Sequence, residues 1–386
     1  MDKVRVGIIG VGNMGTAHSA MILNNQIKGA ELTAVCDVRE ERQKWARENL
    51  GDDVEVYRTP DELITSGRVD GVIIATPHYQ HSEIAMKAFE HDLHVLCEKP
   101  AGVYTKQVRA MNEAAAQADK VFAIMYNQRT NPVFQKVRDL VVSGELGEIR
   151  RTIWVIDWYR SQSYYDSGSW RATWAGEGGG VLINQCPHQL DLWQWTINMI
   201  PKRVRAFCNF GKYRDVEVED DVTAYVEYEN GASGLFVTST GMAPETNRFE
   251  IYGDRGKLIV EDNKITFWRN RIPETQFNQE WKGGFGLPEN WKCEIPVHGI
   301  ETGHGGIMRN WVDAILHDRR LIAPGEEGIK GLTLSNAMHL STWTDAWVEL
   351  PIDEDQFFEK LQDRIDQSTY DEEKAEDKTL DVKGTF

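Results

Sequence analysis

Val4-Arg5-Val6-Gly7-Ile8-Ile9-Gly10-Val11-Gly12-Asn13-Met14-Gly15 is the stretch that decides the fold. Val4 to Ile9 is short, apolar and β-branched, which predicts a buried strand. The G-x-G-x-x-G run follows at once, and Met14 to Leu23 predicts a helix. Gly10, Gly12 and Gly15 allow a tight turn and close backbone approach to a pyrophosphate, while Asn13 and Met14 place a helix N-terminus beneath its charge. Such a run is weak by itself. Its position after a strand, opening a helix near the chain start, makes it the mark of a dinucleotide site.

Working outward, apolar strands alternate with helical patterns: Glu31–Cys36, Val54–Tyr57, Val69–Ala75, His94–Cys97 and Val121–Met125. That rhythm predicts an α/β unit, a doubly wound parallel Rossmann sheet over residues 1–125. Past Tyr126 the texture changes. A helix carrying Phe134, Val137, Leu140 and Val141 ends at Gly144. Strands then follow at 149–158, 203–210, 221–228, 232–240, 248–253, 256–261 and 264–268, with turns at Glu229-Asn230-Gly231 and Gly253-Asp254-Arg255-Gly256. Residues 126–350 are therefore expected to form an α+β substrate and oligomerisation domain on a large, mostly antiparallel sheet. Residues 351–386 are expected to hold a C-terminal helix and a polar, loose tail after about Gln367.

The chain has 386 residues and a net charge of −17. That charge disfavours nucleic acid and anionic membrane as partners. The apolar run at the start is too short to span a bilayer and leads into the glycine turn, so a cytoplasmic protein is expected. Its five cysteines are scattered without C-x-x-C spacing. Neither a disulfide framework nor a metal site is expected, and the thiols read as inert.

Three clusters carry chemistry. Asp37 ends the second strand, where it can accept hydrogen bonds from ribose hydroxyls and repel a 2′-phosphate. NAD is therefore favoured over NADP, although Arg39 is placed to pair with such a phosphate. Thr76-Pro77-His78 and Glu98-Lys99-Pro100 end the fourth and fifth strands, facing the crevice. Thr76, Pro77, His81 and Glu98 are candidate cofactor contacts. Lys99 can donate to the oxygen of a reacting alcohol or carbonyl. The third cluster is Gly178 to Trp193, in which His188 follows Pro187 and so falls in a helical first turn. The dipole there disfavours the imidazolium and preserves a neutral base. Taken alone, His188 reads as a structural histidine, and Asp191, one turn on, as a cap or ion pair.

The fingerprint, Glu98-Lys99-Pro100 and the pattern Gly-Gly-x-x-x-Asn-x-x-x-His at 179–188 together resemble the glucose-fructose oxidoreductase, inositol dehydrogenase and rhizopine-catabolism (Gfo/Idh/MocA) family, from residue 3 to about 350. The resemblance implies that Lys99 contacts the reacting oxygen, that Pro100 follows a cis peptide, and that His188 is the general acid/base. Many members carry an aspartate where this chain has Asn184. An amide neither exchanges a proton at neutral pH nor supplies charge, so Asn184 is left to orient or hydrogen-bond.

On the substrate side, seven aromatics lie between Trp154 and Trp174, with Arg160 and Arg171 among them. They suit a carbohydrate, or equally cover for the second sheet or a subunit contact. Trp158, Arg160 and Trp174 are the candidates for substrate contact. Asn127 and Arg129, just past the sixth strand, are expected at the nicotinamide and the substrate. His304 precedes a helix over Ile307–Leu316 and reads either as a substrate ligand or as the residue that opens it. The resulting expectation is an NAD-dependent oxidoreductase acting on a secondary alcohol of a sugar, glycoside or inositol-like polyol, and a homodimer or homotetramer. Its rivals are a redox-assisted glycoside-cleaving enzyme that retains NAD and a non-catalytic NAD or sugar sensor.

Overall fold

A computed structural model describes residues 2–370. The predicted first unit forms a six-stranded parallel sheet: β1 (Val4–Ile9), β2 (Ala30–Cys36), β3 (Glu55–Tyr57), β4 (Gly71–Ile74), β5 (His94–Cys97) and β6 (Phe122–Ile124). The order is β3-β2-β1-β4-β5-β6. Strand order reverses between β1 and β4, which opens a crevice at the carboxyl ends of these strands. β1 and β4 are buried along almost their whole length because helices cover both faces. One of those covering helices comes from far along the chain. Gly303–His317 lies against this sheet, with the Trp311 ring so close to Gly71 that a Cβ there would stand 2.9 Å from it.

The second sheet has nine strands: β7 (Ile149–Asp157), β8 (Arg203–Phe210), β9 (Glu219–Glu227), β10 (Ser233–Ser239), β11 (Asn247–Gly253), β12 (Gly256–Glu261), β13 (Lys264–Asn270), β14 (Asn290–Ile295) and β15 (Val348–Glu349). They run in the order β14-β13-β12-β11-β7-β10-β9-β8-β15. Only the β7–β10 pair is parallel. Side chains alternate across it, so Val204, Ala206, Val222, Ala224, Phe236 and Phe249 face inward. Helices Pro187–Ile197 and Gly328–Thr344 cover this inner face. Trp193 stacks on Phe236 at 5.5 Å and donates its indole N–H to Thr152 Oγ1 at 2.9 Å. The opposite face is open and shows Phe207 and Tyr225.

Differences from expectation sit at the edges. Strands β14 and β15 were absent from the sequence reading, and the helix expected at Ile307 begins four residues earlier, at Gly303. A C-terminal helix spans Glu354–Ile365. The tail expected to be loose after Gln367 is docked at its start, where Ser368 Oγ donates to Glu217 Oε2 at 2.7 Å. The remainder of that tail lies outside the described residues. Cys36, Cys97, Cys186 and Cys208 are buried free thiols, and burial pushes the Cys186 thiol up to about 12. No helix among the described residues is long and apolar enough to cross a membrane.

Arg129 ties the two sheets together. Its guanidinium is 1% exposed, donates to both oxygens of Asp191 at 2.8 and 2.6 Å, also pairs with Glu327, and lies against the Tyr126 and Trp195 rings. Removing one partner strands a buried charge. Asp191→Ala is expected to lower unfolding free energy by about 3 to 5 kcal/mol in urea denaturation. A loss under about 1 kcal/mol would show that the pair does not hold this junction.

Candidate active site

The glycine turn forms as the fingerprint predicts. Gly10 has φ +91°, and a Cβ there would meet the Ala75 carbonyl oxygen at 2.6 Å. A Cβ on Gly15 would lie 1.9 Å from the Gly10 oxygen, so helix Asn13–Leu23 packs as tightly as the turn allows. Gly12 differs: a Cβ there would meet nothing within 4 Å. Its glycine leaves open space in front of the helix N-terminus, where amide N–H groups lack intrahelical partners. That space fits a pyrophosphate. Asp37 is held at the end of β2, its Oδ2 accepting the Val11 N–H at 2.8 Å and its Oδ1 the Arg39 N–H at 3.0 Å. The Arg39 side chain leans on the same carboxylate at 3.3 Å. Arg42, missed in the sequence, braces the turn by donating to the Val11 oxygen at 2.7 Å and Thr16 Oγ1 at 2.8 Å. Further round the crevice, Thr76 Oγ1 and Asn127 Oδ1 are buried with no hydrogen-bond partner among the described residues.

Lys99 sits beyond β5, and its peptide to Pro100 is cis. Its Nζ donates to the backbone oxygen of Asn184 at 3.0 Å. Burial presses the ammonium pKa down, Glu98 and Glu177 oppose that, and Arg171 and Arg160 reinforce it. Glu98 is nearly buried, and its Oε1 lies 2.7 Å from His18 Nε2. Burial would raise its carboxyl, but the His18 contact and nearby His304 and Lys99 overcome this and hold it down to about 2.

Asn184 belongs to a single π-helical turn, Val181–Gln185, a form that often marks functional positions. Gly178 and Gly179 enter it with φ +85° and +154°. A buried carboxylate fastens it: Glu219 accepts the N–H groups of Gly180 and Leu182, both at 2.9 Å. Pro187 then starts the helix that carries His188 in its first turn, as expected. Burial, and next the charge of Lys99 and His304, holds the His188 pKa well below the ordinary imidazole value. Its Nδ1 is buried without a hydrogen-bond partner, and its ring meets the Tyr126 ring edge-on at 6.1 Å. A neutral base thus shares the pocket with Lys99.

Lys99, Asn184, His188 and His304 converge here, with Arg160 near enough for its charge to act on Lys99. His304 lies in the first turn of its helix, as the helix-opening reading expects, 5.7 Å from the His18 ring. Arg160 stands over the Trp158 and Tyr164 rings, and Arg171 over Tyr164 and Trp170. Three expected contacts are elsewhere. Arg129 is buried and spends four of its five N–H donors on Asp191, Glu327 and the Ile322 oxygen. Trp174 is closed into a cluster with His339, Trp343 and Phe210, and its indole N–H donates to the Glu217 oxygen. His81 spends both ring nitrogens on the backbone oxygens of Pro100 and Thr76, each at 2.8 Å, and so clamps the two turns instead of touching a cofactor. Glu177 and His18 went unnoticed in the sequence. The signal was present for Glu177, an acidic residue set directly against three glycines.

Family models for an oxidoreductase family with an NAD-binding Rossmann fold and for the GFO/IDH/MocA C-terminal domain match residues 4–126 and 134–259. The chain belongs to the Gfo/Idh/MocA family. Relatives within it include the myo-inositol 2-dehydrogenase of Thermotoga maritima, 26% identical over 68% of this chain and 77% of that protein. The levoglucosan dehydrogenase of Pseudarthrobacter phenanthrenivorans is 26% identical over 91% and 99%. Among solved structures, the WlbA dehydrogenase of Chromobacterium violaceum in complex with NADH and UDP-GlcNAcA superimposes with TM-score 0.78 at 28% identity, covering 92% of this chain and 97% of that one. A levoglucosan dehydrogenase complex with NADH and L-sorbose gives TM-score 0.76 at 21% identity, over 91% and 100%, and shares the fold. This Gfo/Idh/MocA member is thus an NAD-dependent oxidoreductase with an N-terminal Rossmann domain.

The empty space beside Gly12 separates cofactor binding from folding. Gly12→Ala is expected to shift the melting temperature by less than about 2 °C while weakening NADH binding at least ~tenfold in a fluorescence titration. Full NADH affinity in that variant would remove the Gly12 gap from the cofactor site.

Proposed function

We propose that the protein moves hydride between NAD and a secondary alcohol carbon of a sugar, glycoside or inositol-like polyol. One observation carries this reading: the Lys99 ammonium and the neutral, buried His188 share a pocket at the carboxyl end of β5, beside the glycine turn. Bound NAD supplies the hydride acceptor. Lys99 donates a hydrogen bond to the alcohol oxygen and stabilises the alkoxide charge that grows as the hydroxyl proton leaves, a charge that the departing hydride then carries to the nicotinamide. His188 takes the hydroxyl proton and returns it in the reverse direction. Asn184, an amide, orients and exchanges no proton. The Trp158 and Trp170 faces, with Arg160 and Arg171, suit the C–H faces and oxygens of a hydroxylated ring. The named activities of the inositol and levoglucosan relatives agree with that class.

We further propose a homodimer or homotetramer assembled through the open face of the second sheet, where Phe207 and Tyr225 are exposed and the Trp347 ring meets Tyr225.

The test is absorbance at 340 nm with NAD against inositols, hexoses, glycosides and sugar acids, with NADP in parallel. A selective signal with NAD is the expected result. Silence across the panel from protein that binds NADH tightly would sink the reading. Replacing His188 with Ala should cut the single-turnover rate at least ~tenfold. A neutral base is needed for oxidation, and the His188 pKa lies below the ordinary value. Oxidation therefore stays on its plateau as pH falls through about 6.5 and declines only below it. An acid limb centred above pH 7 would assign the proton to another group.

A further inference from the structure

Glu177 is a buried acid that the proposed reaction leaves unused. It is 1% exposed, in the loop that leads into the glycine run. Its Oε2 accepts the Ala172 N–H at 2.6 Å, and its Oε1 accepts the side-chain N–H of Asn184. Its backbone oxygen meets His78 Nδ1 at 3.1 Å. The charged and titratable groups around it are Lys99 beyond β5, Arg171 in its own loop, Tyr164 and Tyr165 from the short helix Gln162–Tyr165, and His78 beyond β4. A glutamine would fill the same space and could still accept one of these N–H groups. A carboxylate costs far more to bury, so its charge calls for a use.

That use follows from what Asn184 joins. Its side chain donates to Glu177, and its backbone oxygen accepts from Lys99 Nζ at 3.0 Å. One residue thus bridges the acid and the ammonium. Where an aspartate at 184 would put charge beside Lys99, this chain puts it one hydrogen bond further out.

We propose that Glu177 is a positioning residue that, across Asn184, adds to the negative charge of Glu98 in holding Lys99 as an ammonium directed at the reacting oxygen. This rests on the dehydrogenase reading for its purpose, though not for its electrostatics. Burial pushes the Glu177 carboxyl up to about 7, so it is ionised over the alkaline range in which an amine releases its proton. Without that charge Lys99 loses its proton at lower pH.

The experiment labels the NAD-loaded protein with acetic anhydride across a pH series and reads Lys99 acetylation by mass spectrometry. Glu177→Gln is expected to lower the apparent Lys99 pKa by about one unit, a tenfold change in acid constant. Asn184→Asp in that background is expected to return it. With a substrate from the panel, the alkaline limb of kcat/KM should move by the same amount while KM changes less than about threefold. Superimposable labelling curves for wild type and a folded Glu177→Gln protein would overturn the proposal. If Glu177→Gln fails to fold, Asn184→Asp alone must raise the Lys99 pKa, and an unmoved value overturns it equally. Shifted labelling without turnover of any substrate would sustain the charge assignment and count against the dehydrogenase reading. Turnover with unshifted labelling would do the reverse.

Discussion

A buried ammonium must find an acceptor, and Lys99 finds one across the seam between the two sheets, in the backbone oxygen of Asn184 at 3.0 Å. Much of the site follows from presenting that oxygen. Asn184 stands at the end of the turn Val181–Gln185, where carbonyls lack an intrahelical N–H, so its oxygen can face the lysine. The turn in turn needs a sharp approach, supplied by Gly178 and Gly179 at positive φ. It also needs its own amides satisfied, which the buried Glu219 carboxylate does for Gly180 and Leu182. A Cβ on Gly180 would lie 2.0 Å from the Glu219 backbone oxygen, so loop and strand β9 fit only with glycine there. The glycine run is therefore a packing requirement more than a source of flexibility.

The second side of the pocket is set by an ion pair. His188 sits one turn before Asp191 on helix Pro187–Ile197, and Asp191 is gripped by Arg129 from the segment after β6. The helix that carries the base is thereby registered against the sheet that carries Lys99. Geometry of this kind cannot come from flexible surface contacts, because in the proposed reaction the two groups meet one substrate oxygen within hydrogen-bond distance.

How much of this could be read from residues alone depended on how local the controlling interaction is. Strands β1 to β6 were legible because a buried parallel strand is a short apolar run between helical patterns. Strand β14 was not, since Asn290-Trp291-Lys292-Cys293-Glu294-Ile295 has no buried face and gains its form by pairing with β13. The same division runs through the site. Lys99, His188 and Asp37 are announced by neighbouring motif residues. The true role of Arg129 lay with partners 62 and 198 residues away, and that of Trp174 with a ring cluster reaching to Trp343. His81 misled for another reason: its nitrogens serve two backbone oxygens, which no side-chain pattern records. Glu177 lies among glycines that read as a loop, and its burial comes from partners, Ala172 and Asn184, that no local pattern marks.

The electrostatics of the pocket give the proposed proton transfer its balance. Burial, and after it the charge of Lys99, makes the His188 imidazole a weaker base than it would be in water. Taken alone that is a handicap. In the proposed reaction, however, the same ammonium donates to the alcohol oxygen, and a hydroxyl so held releases its proton more readily. One cation therefore lowers the affinity of both donor and acceptor for the proton. Transfer is easiest when those affinities are matched, and a shared cation preserves the match as the charge develops. This makes the charge state of Lys99 the quantity that the surrounding acids must protect. Glu98, held ionised against His18, lies on one side of it, and Glu177 behind Asn184 on the other. The amide at 184 then loses little by being uncharged, because the two carboxylates that bracket the lysine supply what an aspartate there would have given.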